Sequence, residues 1–273
     1  MDFIFDNIYK KWNVVFQDST IDLSSITFFD PWSMGIIALK AIENKNSDNK
    51  DIKFPIDGDK KKYLARMHFG DFIKKLAYED AAQKLEQVKV NERENKNIQE
   101  IFHCEHRDQF NARLESGIRR MFQNFGMNID DEQRATALVG ELGNNVFDHN
   151  AGIWPLDVSG AIIIAQNYPE AKRIEVIVAD PGVGFIGSLK TATPRPDNDI
   201  DAIKLGLRGI SGRIGEKRGN GLLMIQDWTI KQFNGIIRIQ SGTGLIEVNK
   251  GGIKEFIVNK ILGTIAGLVV YYK

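Results

Sequence analysis

The chain has 273 residues, enough for one large domain or two of ordinary size. Hydrophobic residues make up 42% and charged residues 26%, which is ordinary for a globular protein with a buried core. Lysine plus arginine and aspartate plus glutamate both total 36, so the formal net charge is zero. This balance excludes an overall attraction to nucleic acid or to an anionic membrane, and no DNA or membrane partner is expected.

Cysteine usage and the N-terminus predict a cytoplasmic protein. Cys104 is the only cysteine, which excludes an internal disulfide and fits a reducing compartment. The opening MDFIFDNIYK mixes acidic and apolar residues and lacks the pattern of a signal peptide. The apolar run at 261–270 is about half as long as a membrane span.

Residues 1–78 predict a small α/β domain. The runs VVF and ITFF within 13–29 indicate strands because they are rich in β-branched and aromatic residues. Asp30 is a good N-cap and Pro31 a good first helical residue, so a helix is predicted to begin there. A short strand at 51–57 and an amphipathic helix after Gly58 complete a β–α–β–α order.

Residues 79–104 predict a charged helical connector between this domain and a second one at 105–273. The stretch 79–100 is highly charged and poor in large apolar residues. HCEH at 103–106 suggests a metal site as an alternative. However, adjacent residues on a helix point apart, and the sequence offers no second ligand cluster nearby. An exposed helix start is the favoured interpretation.

The second domain begins with two predicted helices, followed by strands. Its first helix covers 107–127 and is expected to end at Gly126. The buried face of that helix is predicted to carry Phe110, Leu114, Ile118, Met121 and Phe125. The second helix is predicted to have Asp130 or Asp131 as its N-cap. Strands are expected at SGAIIIAQNY and RIEVIVAD, then a long polar segment, a helix from GNGLLMIQDWTIKQF, and closing strands over GIIRIQS, LIEVNKG, EFIVNK and TIAGLVVYY.

A polar stripe runs along the second of these helices. Glu141, Asn145 and His149 are four residues apart, so they share one helix face. A solvated face is the alternative interpretation. Asparagine and histidine are poor helix formers, and their alignment with a carboxylate favours a functional site.

Glycines follow the next predicted strand in ADPGVGFIG. GxGxxG at 182–187 matches the dinucleotide-binding fingerprint, but the polar, proline-containing segment that follows does not predict the long helix which that fingerprint opens. Asp180 instead suggests a carboxylate at a strand end. Gly182 and Gly184 would then let a ligand approach the backbone.

A second pair of glycines precedes the last predicted helix, in RGNGL. A turn at Gly219 and Gly221 can point backbone N–H groups at a phosphate. Taken alone, such a turn is a weak signal. The sequence contains no Walker A loop.

The order of these three stretches resembles the GHKL ATPase superfamily, which includes histidine kinases, Hsp90, gyrase B and MutL. The matching positions are the N box (Glu141 to Asn145), the G1 box (Asp180, Gly182, Gly184), the G2 box (Gly219, Gly221, Leu222) and the pair at 263–264. ELGNNVFDHN is most similar to the branch of anti-sigma factor serine kinases. The resemblance covers roughly 105–273 and implies a Bergerat-type two-layer sandwich of a mixed sheet and helices.

The resemblance implies ATP and Mg²⁺ as cofactors and assigns roles to individual residues. Asn145 would offer its amide oxygen to Mg²⁺, and Asp180 would accept a hydrogen bond from the exocyclic amine of adenine, with Thr264 supporting the adenine end. Glu141 would orient or deprotonate the attacking water or hydroxyl, whereas the role of His149 stays open. The implied nucleotide-binding set also includes Gly182, Gly184, Arg218, Gly219, Asn220, Gly221 and Leu222. In a lid at 185–218, Arg208, Arg213, Lys217 and Arg218 are candidates to meet the phosphates.

The first domain resembles a STAS domain, the fold of anti-sigma factor antagonists. The match is IDLSSITFFDPWSMGIIALK, where a strand leads to Asp30 at a helix start. In that family a serine near the helix N-terminus is phosphorylated, and here Ser33 is the serine that lies nearby. A scaffold or dimerisation domain is the alternative.

These resemblances predict an ATP–Mg-binding regulatory protein. It would act in partner switching as a serine/threonine protein kinase of the anti-sigma type or as an ATPase, with a regulatory protein partner such as a sigma factor or a STAS protein. A non-catalytic, ATP-switched binding module is the alternative. A purely structural protein is disfavoured by the complete motif set, and a homodimer is left open.

Overall fold

The computed structural model describes residues 1–56, 58–90, 97–210 and 221–272, and its central element is a seven-stranded sheet. The strands follow the order β11-β10-β9-β12-β8-β7-β6. They are β6 (Ile98–Cys104), β7 (Ala161–Tyr168), β8 (Arg173–Asp180), β9 (Ile236–Ser241), β10 (Gly244–Asn249), β11 (Gly252–Ile257) and β12 (Thr264–Tyr271). The predicted strands from 160 onward are confirmed.

The prediction of a mixed sheet is wrong. Every neighbouring pair among the seven described strands is antiparallel. Short connections join β7 to β8 and β9 to β10 to β11, and such connections can only join antiparallel neighbours. Strand β12 then returns between β8 and β9 and is antiparallel to both.

Helices from residue 107 onward cover one face of the sheet. They are α6 (Arg107–Arg113), a π-helical segment (Leu114–Arg119), α7 (Arg120–Asn124), α8 (Ile129–Asn150), α9 (Gly184–Ser188), α10 (Asp199–Leu207) and α11 (Gly221–Lys231). The helix predicted at 107–127 is confirmed, and Gly126 ends it with φ +75°. The N-cap predicted for α8 is wrong, because Asn128 holds that position and accepts a hydrogen bond from the Asp131 backbone N–H at 2.9 Å.

The N-terminal region covers the opposite face of the sheet through one buried helix. This helix, α2 (Pro31–Glu43), begins where the sequence predicts, with a capping box between Asp30 and Ser33. Its side chains pack on β7, β8 and β12. Trp32 lies against Gly267 of the sheet, and Gly35 lies against Ile177 and Ile265. Because Gly35 and Gly267 have no Cβ, the helix and the sheet can approach each other closely at these two positions.

Around α2 lie short strands and helices that match the predicted order only in part. They are β1 (Asp2–Phe3), α1 (Trp12–Val15), β2 (Phe16–Gln17), β3 (Thr20–Asp22), β4 (Phe28–Phe29), β5 (Asp51–Lys53), α3 (Gly58–Arg66), α4 (Phe69–Lys74) and α5 (Glu79–Glu86). β1 and β4 form a two-stranded sheet, and β2, β3 and β5 form a three-stranded one. The predicted strand over VVF is wrong at its start, where α1 ends. The predicted second helix is divided between α3 and α4 at His68, whose φ is +54°.

The predicted helical connector at 79–104 is wrong in its second half. Its first part is helical, but Ala81, Ala82 and Leu85 of α5 are buried. Ile98–Cys104 forms the edge strand β6, and residues 91–96 lie outside the described ranges. The exposed helix start predicted at HCEH is also wrong for Cys104, which is fully buried in that strand. Ile101 and Cys104 of β6 are buried, and they contribute to the two cores on opposite faces of the sheet.

One hydrophobic core joins both parts of the chain. It contains the buried residues of α2 together with Ile162, Ile164, Ile177 and Ile265 of the sheet. A second core lies on the other face and includes Val176 and Val178. None of the helices in the described part of the chain combines the length and apolar character needed to cross a bilayer.

We expect Trp32→Ala to lower the free energy of unfolding by about 3–5 kcal/mol, because a large buried ring would be replaced by a cavity. Trp32 is only 2% exposed and donates from Nε1 to the Tyr9 hydroxyl at 3.2 Å. Urea denaturation measures the change. Ile56→Ala, at a residue 92% exposed, is the control and should stay within about 0.5 kcal/mol of wild type. Equal effects at the two positions would contradict the placement of α2.

Candidate nucleotide-binding site

A cavity of about 490 Å³ lies between α8, the sheet and helices α9 to α11. Its volume is in the range of pockets that bind small molecules. Residues from all the sequence motifs line it: Glu141, Asn145, His149, Asp180, Gly184, Gly221, Leu222 and Thr264. Arg213, Lys217, Arg218, Gly219 and Asn220 lie outside the described residues.

The polar stripe of α8 faces this cavity. Glu141, Asn145 and His149 are half-buried, whereas Leu142 and Val146 of the same helix are buried in the core. Nδ2 of Asn145 is buried without a hydrogen-bond partner in the described part of the chain. A buried amide nitrogen without a partner is costly, and the Asn145 residue also lines the cavity, where the rest of its side chain can contact a ligand. The interpretation of the stripe as a solvated face does not fit this geometry.

Asp180 lies at the end of β8, beside two other polar residues at the same sheet edge. In the pairing register Asp180 is opposite Thr264, and Thr264 is opposite Ser241. Directly opposite residues point to the same face of a sheet. The three side chains therefore form a polar row at one end of a cavity that has apolar walls.

The Asp180 carboxylate is 5% exposed and is held by two donors. Its Oδ1 accepts from the Gly182 N–H at 2.9 Å and from Nδ2 of Asn150 at 3.1 Å. Burial raises the pKa of Asp180 to about 7, while these two hydrogen bonds oppose that rise. A carboxyl group with such a pKa changes protonation near neutral pH.

The first glycine turn fits tightly between Asp180 and β9. Gly184 has φ +68°, and a Cβ there would lie 2.7 Å from Oγ of Ser241. That hydroxyl accepts from the Phe185 N–H at 2.9 Å. A dinucleotide-binding fold requires a parallel βαβ unit, and β8 has antiparallel neighbours.

The predicted lid contains two helices, α9 and α10, within its described part. Asp199 of α10 accepts from the Thr243 N–H at 2.8 Å and from its hydroxyl at 2.9 Å, which ties α10 to the β9–β10 hairpin. Arg208, a predicted phosphate ligand, is exposed and does not line the cavity.

The second glycine motif meets the polar stripe at Gly221, the first residue of α11. A Cβ at Gly221 would overlap the Glu141 carboxylate. A side chain at this position would have to displace the Glu141 carboxylate, so Gly221 allows Glu141 to approach the start of α11. Leu222 follows and contributes to the apolar wall.

Several cavity residues were missed by the sequence interpretation. Arg107 of α6 forms an ion pair with Asp148 and donates to Oδ1 of Asn144 at 3.3 Å. Among the described residues lining the cavity, Arg107 is the one lysine or arginine. Asn150, which donates to Asp180, also lines the cavity. Asn144 and Asp148 lie beside the polar stripe in sequence, and both line the cavity. Arg107 is the first residue of the helix predicted at 107–127, and nothing in that pattern indicated a site.

The HCEH residues separate in the structure. His103 Nε2 lies 2.7 Å from the Ser159 carbonyl oxygen, and burial lowers the His103 pKa. His106 is the N-cap of α6. Within the described ranges, no group of three or more His, Cys, Asp or Glu side chains is arranged to hold a metal ion.

The sequence matches none of the protein-family models, and no significant match to it was found among curated proteins.

Asp180→Asn should raise the free energy of unfolding at pH 8 by on the order of 2–4 kcal/mol. The folded-state pKa of about 7 lies above 3.8, the ordinary pKa of an aspartate side chain. The contribution of this carboxyl group to stability is thus fully present below about pH 4 and is lost as the pH rises through 7. Urea denaturation at pH 8 and at about pH 4 measures the effect. A gain of equal size at both pH values would contradict the assigned pKa.

Proposed function

We propose that the chain binds ATP with Mg²⁺ in this cavity and acts as a regulatory protein of the GHKL type. The observation that carries the proposal is the convergence of residues from separate motifs on one pocket, including Glu141, Asn145, Asp180, Gly221 and Thr264. Family membership itself stays a prediction, as does a cytoplasmic location.

The sheet edge is suited to hold the adenine base. Oδ1 of Asp180 is already hydrogen-bonded, and within the described ranges Oδ2 has no hydrogen-bond partner. Oδ2 can therefore accept from an exocyclic amine. Thr264 lies directly opposite in the pairing register and supplies a hydroxyl at the same end. The apolar walls formed by Val178, Ile239 and Ala266 fit the faces of a purine ring.

The other part of the cavity is suited to hold phosphates and a magnesium ion. Asn145 can turn its amide oxygen toward Mg²⁺, and phosphate and water oxygens commonly complete the octahedral shell. Arg107 and the N-terminus of α11 both favour negative charge. Bound Mg²⁺ would supply positive charge to neutralise the phosphates.

Glu141 favours an enzyme over a passive binding module. It is a half-buried carboxylate next to the first residue of α11, where a base could act on a water or hydroxyl near the phosphates. We therefore propose a serine/threonine protein kinase of the anti-sigma type or an ATPase. The ATP-switched binding module, with a partner such as a sigma factor or a STAS protein, is the second candidate, because the N-terminal region packs through α2 on β8 and β12, two strands that also line the cavity.

The position of Ser33 argues against phosphorylation of this serine as the way in which the N-terminal region acts. This serine is fully buried, and its hydroxyl is used in the capping box with Asp30. A kinase could not reach it without opening the core. Regulation by this region is better explained through its contact with the sheet than through phosphorylation of Ser33.

Isothermal titration calorimetry with ATP and Mg²⁺ tests nucleotide binding. We expect Asn145→Ala and Asp180→Asn each to weaken binding by about tenfold or more, because each removes a hydrogen-bonding or metal-binding oxygen. Glu170→Gln, at an exposed residue in the turn after β7, is the control and should bind as wild type does. Unchanged affinity in both site variants would refute the assignment.

Glu141→Gln tests the catalytic proposal and keeps the size of the side chain against Gly221. We expect ATP binding to persist while turnover falls by about 10²–10⁴-fold, the usual effect of losing a general base. Phosphate release, and phosphosite mapping after addition of cell lysate, distinguish an ATPase from a kinase. Wild-type binding without any turnover would favour the binding module, and loss of binding in the variant would assign Glu141 a structural role.

A further inference from the structure

Asn150, the last residue of α8, connects three segments around Asp180. Its side chain is 3% exposed. Nδ2 donates to the Val146 carbonyl oxygen at 2.8 Å and to Oδ1 of Asp180 at 3.1 Å, and Oδ1 accepts from the Val183 N–H at 2.9 Å. A Cβ on Gly182 would overlap this amide. The end of the helix, the end of β8 and the glycine turn therefore meet at one side chain.

The orientation of this amide is determined by its neighbours. A backbone carbonyl can only accept, so Nδ2 must face Val146, and a backbone N–H can only donate, so Oδ1 must face Val183. Asp180 consequently faces an N–H donor, which favours its charged form over its protonated form.

We propose that Asn150 is the positioning residue that keeps Asp180 ionised with one oxygen free for the ligand, and that it thereby sets a preference for a 6-amino over a 6-oxo purine nucleotide. The inference rests on the proposed nucleotide site and deepens it. An ionised carboxylate can accept from an amine at position 6 of the base. A protonated carboxyl group would offer a donor instead, which suits a 6-oxo base.

Among the described groups around Asp180, the two that stabilise its ionised form by hydrogen bonds are the Asn150 amide and the Gly182 N–H. Among the described residues, those lining the cavity that are titratable or charged are Arg107 on α6 and Glu141, Asp148 and His149 on α8, besides Asp180 itself. Within the same described ranges, the other cavity-lining residues of the sheet strands and of helices α9 to α11 are uncharged. The pKa of Asp180, raised to about 7 by burial, makes its ionisation sensitive to the loss of one donor.

The test is nucleotide affinity as a function of pH, with ATP and inosine triphosphate as probes and Mg²⁺ present. We expect wild-type affinity for ATP to fall as the pH drops through about 7. In Asn150→Ala, and in Asn150→Leu, which has a similar shape but no donor, the midpoint should move up by about one pH unit. Near pH 7.5 the ratio of ATP affinity to inosine triphosphate affinity should fall about tenfold. The ATP affinity of the variants should return toward the wild-type value near pH 9, where Asp180 is ionised in every variant.

Asn128→Asp is the matched control, since it changes an exposed asparagine at the opposite end of the same helix. Melting temperatures are recorded for each variant, because a purely structural role would lower them without moving the pH midpoint or the affinity ratio. That result in either folded variant, with ATP binding intact in wild type and lost in Asp180→Asn, would overturn this inference alone. Absence of ATP binding in wild type would overturn the proposed function as well.

Discussion

The need to cover both faces of the antiparallel sheet determines the rest of the structure. Strand β8 sends Val176 and Val178 to one core and Ile177 and Ala179 to the other. Apolar area exposed on either face would cost about 25 cal/mol per Å². The N-terminal region is therefore a required layer of the fold, although its sequence suggests a separate domain. Removing it would uncover the face on which α2 packs.

The candidate site lies at the end of the sheet where polar residues replace the buried apolar ones. At one edge of the sheet, Asp180, Thr264 and Ser241 replace the alternating apolar residues, and the end of α8 reaches the same place. A buried carboxylate is costly unless donors surround it, and the two donors to Asp180 do not cancel the cost, since its pKa stays near 7. The ionised Asp180 carboxylate therefore lowers the free energy of unfolding once the pH rises above about 7.

The sequence predicted the local elements, and which residues lie together at the cavity, better than it predicted the layers. Asp30 with Pro31, and the spacing of Glu141 and Asn145, are local patterns, and α2 and the polar stripe of α8 follow them. The continuous apolar run inside RIEVIVAD is typical of a strand that is buried on both faces. This run indicates a layer on each side of the sheet, whereas the two-layer prediction included a layer on one side only. The contact between Asn150 and Asp180 joins residues 30 apart in the chain. This contact forms because α8 and β8 end next to each other, and the hydrophobic periodicity of a sequence does not specify where two elements end relative to one another.

The two layers are connected beside the cavity through β9. Gln240, fully buried, accepts from the Tyr9 hydroxyl at 2.6 Å on the N-terminal side and donates to the Asn259 carbonyl oxygen at 2.8 Å. The next residue, Ser241, accepts from the Phe185 N–H on the cavity side. Because consecutive strand residues point to opposite faces, this pair links the N-terminal layer to the glycine turn within one peptide unit. A displacement of the N-terminal layer at Tyr9 would act on β9 directly next to the residue that holds the turn. Physical coupling between the two parts of the chain therefore requires no long pathway.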